Sequence, residues 1–266
     1  MCLIVFAYKV HKKYSLILAA NRDEFFNRPT AALNVWEDSP EIIAGRDLKE
    51  GGTWMGFNRQ GRFAALTNVR NPSSIKLNSR SRGDLIAPFL SSDVDPFSYL
   101  KDVKSRIEDY NGFNLLAGDT NDLFFISTTD KKIIKIFPGV HAVSNHTINT
   151  PWVKVEKVKE GLNKLIENRP IKESQADNLN ISDIESYLYT MMKNREPASD
   201  EALPDTGVGI ELERQLSSVF VSMPGYGTRS TSVVLLDIEG NLTFSETTWS
   251  ENGNKQDYKK TVVSAK

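Results

Sequence analysis

Apolar runs broken by short polar interruptions dominate the first half of the chain. Residues 2–10 and 14–21 are rich in Val, Ile, Leu and aromatic side chains, and His11-Lys12-Lys13 separates them, which predicts two strands joined as a hairpin. Further strands are predicted at 41–44, 53–58, 62–68, 113–118, 123–128, 132–137 and 140–144, with Gly, Asn and Asp at the turns between them. Helical spacing then takes over. Ser81 with Asp84 resembles a capping box opening a helix through Leu90, and Asp95-Pro96 opens another with Phe97, Leu100, Val103 and Ile107. A longer helix is predicted from Pro151. Trp152, Val155, Val158, Leu162, Leu165 and Ile166 form its apolar stripe, and Lys154, Lys157, Lys159 and Glu160 cover the rest. Residues 168–181 and 195–209 read as loops around a helix at 181–193. Strands return at 232–238 and 242–248 across Glu239-Gly240-Asn241, and the polar tail from Glu251 is expected to fray. Strands, then helices, then strands argue for one α+β domain over 1–266 whose terminal strands share a sheet.

Composition narrows the class of function. The chain of 266 residues carries 33 Lys plus Arg against 34 Asp plus Glu, a formal charge of −1, which gives no electrostatic mark of a nucleic-acid or acidic-lipid partner. With 39% hydrophobic and 25% charged residues, it has the make-up of a folding domain. One Cys excludes an internal disulfide, and with only 3 His it excludes a zinc site of the ribbon or finger type. No metal or other cofactor is expected. The N-terminus lacks the basic lead-in of a signal peptide, and no run reaches the ~18 apolar residues of a membrane helix. A cytoplasmic protein without stable membrane insertion is therefore expected.

Few residues carry candidate chemistry. Cys2 is the only thiol and directly follows the initiator Met, which is generally removed ahead of a small residue. A chain beginning at Cys2 would join a nucleophile to its own α-amine, a base with a pKa near 7.7–8.0. The plainer alternative for a lone Cys in an apolar run is a small core residue. Pairing of the first two strands would return Asn21-Arg22-Asp23-Glu24 to the same edge as Cys2, where Arg22 can lower a thiol pKa or bind a carbonyl and Asp23 can hold an ammonium. A turn with a surface ion pair is the alternative there. Gly51-Gly52-Thr53-Trp54-Met55-Gly56 lacks phosphate-loop spacing and fits close backbone packing or a substrate-facing turn. Asn68 and Asn145 end apolar strands and are oxyanion donors or turn formers, while Arg229 precedes a strand as an anchor or a solvated side chain. His141 and His146 have no metal-ligand spacing and read as structural.

Together, Cys2, Asn21-Arg22-Asp23-Glu24, Gly51-Gly52-Thr53-Trp54-Met55-Gly56, Ser144-Asn145 with Pro151-Trp152, and Tyr226-Gly227-Thr228-Arg229-Ser230 resemble the NRDE family, also called the transport and Golgi organisation 2 family. That family is similar to N-terminal nucleophile hydrolases, which implies a four-layer αββα sandwich. A more remote similarity to the bile-salt hydrolase and penicillin V acylase group implies roles by position. Cys2 would be nucleophile and base, Arg22 and Asp23 its supports, Asn68 the oxyanion donor, Asn145 the amine-orienting residue and Arg229 the last anchor. In those acylases the Arg and Asp are separated, whereas here they are adjacent. Asn21, Thr53, Trp54 and Phe57 would face substrate. The implied reaction is hydrolysis of a non-peptide linear amide or a thioester. The alternative is a non-catalytic carrier of haem or acyl-CoA, because eukaryotic family members are associated with secretory organisation, lipid metabolism and haem handling. Either way the expected partner is a small molecule.

Overall fold

The computed structural model describes residues 2–167 and 180–264. In chain order, the strands of the first part are β1 (Cys2–Tyr8), β2 (Tyr14–Phe25), β3 (Thr30–Val35), β4 (Ile42–Asp47), β5 (Met55–Asn58) and β6 (Phe63–Asn68). Two helices follow, α1 (Ala87–Leu90) and α2 (Pro96–Ser105), then β7 (Phe113–Gly118), β8 (Leu123–Ser127), β9 (Ile133–Lys135) and β10 (Gly139–Val143). Helices α3 (Val153–Ile166), α4 (Ile181–Met192) and α5 (Ile210–Leu216) lead into β11 (Ser222–Met223), β12 (Tyr226–Asp237), β13 (Leu242–Trp249) and β14 (Lys255–Val263).

Two seven-stranded sheets result. One has the order β10-β1-β2-β12-β13-β14, with β11 beside β12, and the other runs β3 to β9 in sequence. Period-two alternation assigns each side chain to a layer. On β1 and β2, Ile4, Phe6, Leu18 and Ala20 point between the sheets and meet Met55, Phe57, Phe63 and Phe125. Their neighbours Leu3, Val5, Ile17 and Ala19 point the other way, onto Val155, Val158, Leu162 and Leu188 of α3 and α4. The outer face of the second sheet, including Ala64, Leu66 and Leu115, lies under Leu90, Leu100 and Val103 of α1 and α2. The layers are therefore α, β, β, α, the sandwich that the family resemblance implies. Residues from both ends of the chain, in β1, β2, β12, β13 and β14, share one sheet. Among the described residues no helix is long and apolar enough to cross a membrane.

Several sequence expectations need correction. Asn21 to Glu24 do not form a turn after the second strand. They lie inside β2, because β12 supplies a partner on the far side through Phe25. The tail expected to fray instead forms β14, paired with β13 from Val263 to Lys255. Its residues are mostly exposed, as on an edge strand with one solvated face, so the apolar signal of a strand is missing. Strand β3 and helix α5 were not predicted. The stretch from Arg82 to Leu90 is a 3₁₀ turn followed by a single α-helical turn containing Pro88, and the Ser81 side chain makes no capping bond. Lys154 is buried, not on the solvated face of α3. It precedes Val158 by four positions and so shares its face. Most of the loop predicted at 168–181 lies outside the described residues.

Candidate active site

Strand pairing places the chemistry. Cys2 opens β1 and stands opposite Arg22 of β2, while Asp23 and Arg22 stand opposite Thr228 and Ser230 of β12. Arg229 is the extra residue of a bulge between those two pairs. Cys2 and Arg22 share the face turned toward the other sheet, and Asn21 and Asp23 turn toward the helices. This sheet edge meets the loop around Thr53, the end of β6 and the turn at Ser81–Gly83. Together they enclose a cleft of about 260 Å³ lined by Cys2, Arg22, Asp23, Thr53, Trp54 and Asn68, among others.

Arg22 is buried and held from three sides. Its guanidinium stacks 4.2 Å from the centroid of the Trp54 ring, donates to Thr30 Oγ1 at 3.1 Å and stands 4.0 Å from Glu24. The Trp54 indole has room only because residue 45 is glycine, since a Cβ there would lie 2.4 Å from the ring. Gly45→Ala is accordingly expected to destabilise the fold by ~1–3 kcal/mol and to displace the indole from Arg22. Urea denaturation with Trp fluorescence reads both, and unchanged fluorescence would rule out this account of Trp54. Asn68 presents its carboxamide to the cleft with no partner among the described residues, while its carbonyl accepts a 2.9 Å bond from Asn145 Nδ2.

Behind Cys2 lies a buried set of charged groups. Burial pushes the Cys2 thiol up, against the Arg22 guanidinium and the Asp23 backbone N–H, which pull it down. Asp23 Oδ1 accepts a 2.7 Å bond from Thr228 Oγ1, which in turn accepts from the Val221 N–H at 3.0 Å. Burial also pushes the Asp23 carboxyl up, against the charges of Lys154 and Arg70 and the Thr228 bond, which pull it down. The Lys154 ammonium donates to the Leu216 carbonyl at 2.8 Å, and burial brings it down to about 8. Arg70 is paired with Glu213, both buried, and its other nitrogen lies 3.4 Å from Asn145 Oδ1.

The structure thus gathers Cys2, Arg22, Asp23, Thr53, Trp54 and Asn68 at one cleft and leaves four sequence candidates outside it. Asn21 donates to the Met192 and Val219 carbonyls at 2.9 Å each and ties β2 to the helix layer, as the alternation of the strand requires. Phe57 is in the inter-sheet core. Asn145 is fully buried and acts through backbone ties, joining the end of β6 to the turn after β10. Arg229 donates to the Phe25 and Arg28 carbonyls at 2.8 and 3.0 Å and so pins the turn that carries Arg28. Sequence reasoning missed Thr228, Lys154, Arg70 and Glu213, as well as the cleft residues Arg28, Asp47 and Arg82. The four-residue offset between Lys154 and Val158 was the one available signal. The others are brought in by long-range pairing.

A family model described as Transport and Golgi organisation 2 matches residues 1–251. The Transport and Golgi organization protein 2 homolog of Bos taurus is 38% identical over 267 residues, covering 92% of each chain. The Homo sapiens homolog is 37% identical over 262 residues with the same coverage. Among solved structures, a variant of conjugated bile acid hydrolase from Clostridium perfringens is similar over 99% of this chain and 92% of that one, at 10% identity and a TM-score of 0.48.

Proposed function

The chain belongs to the Transport and Golgi organisation 2 family, and on that footing we propose that it is an N-terminal cysteine hydrolase acting on a linear non-peptide amide or a thioester once Met1 is removed. The observation that carries this reading is the grouping of Cys2, the held guanidinium of Arg22 and the open carboxamide of Asn68 on one cleft.

In the first step the Cys2 sulfur attacks the acyl carbonyl and forms a C–S bond as its proton passes to the α-amine. The Asn68 carboxamide supports the oxyanion of the tetrahedral intermediate, and Arg22 adds positive charge beside it. The C–N or C–S bond to the leaving group then breaks, and the α-ammonium returns its proton to that group. Water next attacks the thioester with the same amine as base, releasing a carboxylic acid and restoring the thiol. The α-ammonium would also supply a neighbouring positive charge for Asp23, whose carboxyl burial pushes up. The cleft volume of about 260 Å³ falls below the ~300–1,000 Å³ of typical ligand pockets, which favours a small acyl substrate over a haem macrocycle. A reducing cytoplasm would keep the single thiol active.

Intact-mass measurement of the purified protein, before and after exposure to acyl donors, tests the reading. The expected result is a chain that lacks Met1 and gains one acyl group on Cys2, and a chain that retains Met1 in its native form overturns the mechanism. Asn68→Ala is expected to slow acylation by about a hundredfold. A rate unchanged in that variant would remove Asn68 from the oxyanion site.

A further inference from the structure

The same cleft holds more arginine than its carboxylates can match in space. Arg22, Arg28, Arg80 and Arg82 all line it, against Glu24, Asp47, Glu50 and Asp23. Asp47 is taken by Arg28 at 2.5 Å, and Glu24 lies 4.0 and 3.9 Å from Arg22 and Arg28. Asp23 turns toward Thr228 and the helix layer. Glu50 is exposed and pairs with no cation among the described residues.

That leaves Arg80 and Arg82 without a carboxylate. Arg80 is exposed and lies 5.4 Å from the Tyr110 ring. Arg82 is half-buried, and its one hydrogen bond to the described residues goes to the Gly112 carbonyl at 3.1 Å. A guanidinium withdrawn from water without a counter-ion is costly unless something else supplies the charge. Burial pulls Arg82 down, and the negative groups that oppose it are Cys2 in its thiolate form and Glu24.

The position of Arg82 is fixed by backbone contact. Gly52 touches the backbone of Gly83 so closely that a Cβ on residue 52 would lie 2.7 Å from the Gly83 carbonyl carbon. The glycine-rich stretch thereby locks the turn that carries Arg82 against the Cys2 cleft.

We infer that the substrate carries an oxyanion, a carboxylate or a phosphate, a short distance from its scissile carbonyl, and that Arg82, assisted by Arg80, receives it. A planar guanidinium with free N–H groups suits a two-oxygen acceptor. The cleft volume of about 260 Å³ leaves space for only a few atoms between sulfur and anion. This assignment rests on the proposed reaction for the events at Cys2, although the recognition of the anion does not depend on turnover.

The test uses three chloroacetamides of equal length, ending in a carboxylate, a phosphate or a hydroxyl, and follows alkylation of Cys2 in the full-length protein by intact mass. Alkylation needs only an accessible thiol, so the result is independent of whether the protein completes hydrolysis. At least one anionic probe is expected to react about tenfold faster than the hydroxyl probe, the scale of one charge-assisted hydrogen bond. Which anion is favoured tells a carboxylate substrate from a phosphate one. In Arg82→Met the ratio of anionic to neutral rates is expected to fall toward one, with a smaller fall in Arg80→Met. Should Arg82→Met fail to fold, Arg82→Lys keeps the charge and loses the planar fork, and its ratio is expected to fall in part. A ratio near one in the native protein overturns the assignment, and so does a ratio that the Arg82 variants leave unchanged.

Discussion

Replacement of Cys2 by alanine is expected to abolish the acyl adduct and to lower turnover on the order of 10⁴-fold or more, the scale seen when a nucleophile acting as one unit with its base is removed. Folding should survive, because the lost atom is one small sulfur on a strand whose backbone is paired to both β2 and β10. An unfolding free energy within ~1 kcal/mol of the native value, together with the absence of any acyl mass increment, is the outcome that fits. Turnover at the native rate in Cys2→Ala would place the chemistry elsewhere. An added residue ahead of Cys2 is a sharper version of the same test. It leaves the sulfur in place but converts the α-nitrogen to an amide that cannot take a proton, so activity should fall although the thiol is still present.

The second large effect concerns stability. Arg70→Met is expected to cost ~3–5 kcal/mol, because it strands the Glu213 carboxylate in the interior. Glu213 accepts from the Thr206 backbone as well, so Glu213→Gln keeps an acceptor for that bond while removing the charge. The double variant Arg70→Met with Glu213→Gln should therefore cost less than Arg70→Met alone, a sign of coupling that urea titration reads directly. If Arg70→Met costs less than ~1 kcal/mol, water reaches the pair and the buried-charge account of this layer fails. Arg70 also reaches Asn145, which anchors the carbonyl of Asn68, so the same variant is expected to loosen the cleft.

The sequence carried the hairpin, the helix α3 and the terminal strands of a shared sheet, because each has a local period that burial on one face enforces. Cys2, Arg22 and Asp23 were legible for the same reason: a hairpin turning at His11–Lys13 returns residue 22 to residue 2 by counting alone. The deeper part of the site has no such signature. Thr228 meets Asp23 only because β12 inserts beside β2, and Arg82 reaches the cleft only through the contact between Gly52 and Gly83. Asn21 and Phe57 illustrate the opposite error. A polar residue in a motif and an aromatic one beside a glycine-rich loop both invite a binding role, yet alternation along β2 turns Asn21 to the helices and β5 turns Phe57 into the core. Arg229 was placed at a strand start, whereas the bulge in β12 leaves it free to bridge two carbonyls of the neighbouring turn.

The shared sheet also sets a clock. Phe25 ends β2, and its partner strand β12 does not begin until Tyr226, about 200 residues later. At ~5–20 residues per second, the ribosome delivers that strand roughly 10–40 s after β2 is complete. Until then Asp23 has no Thr228 to hold it, and the strand that carries it lacks its partner on that side.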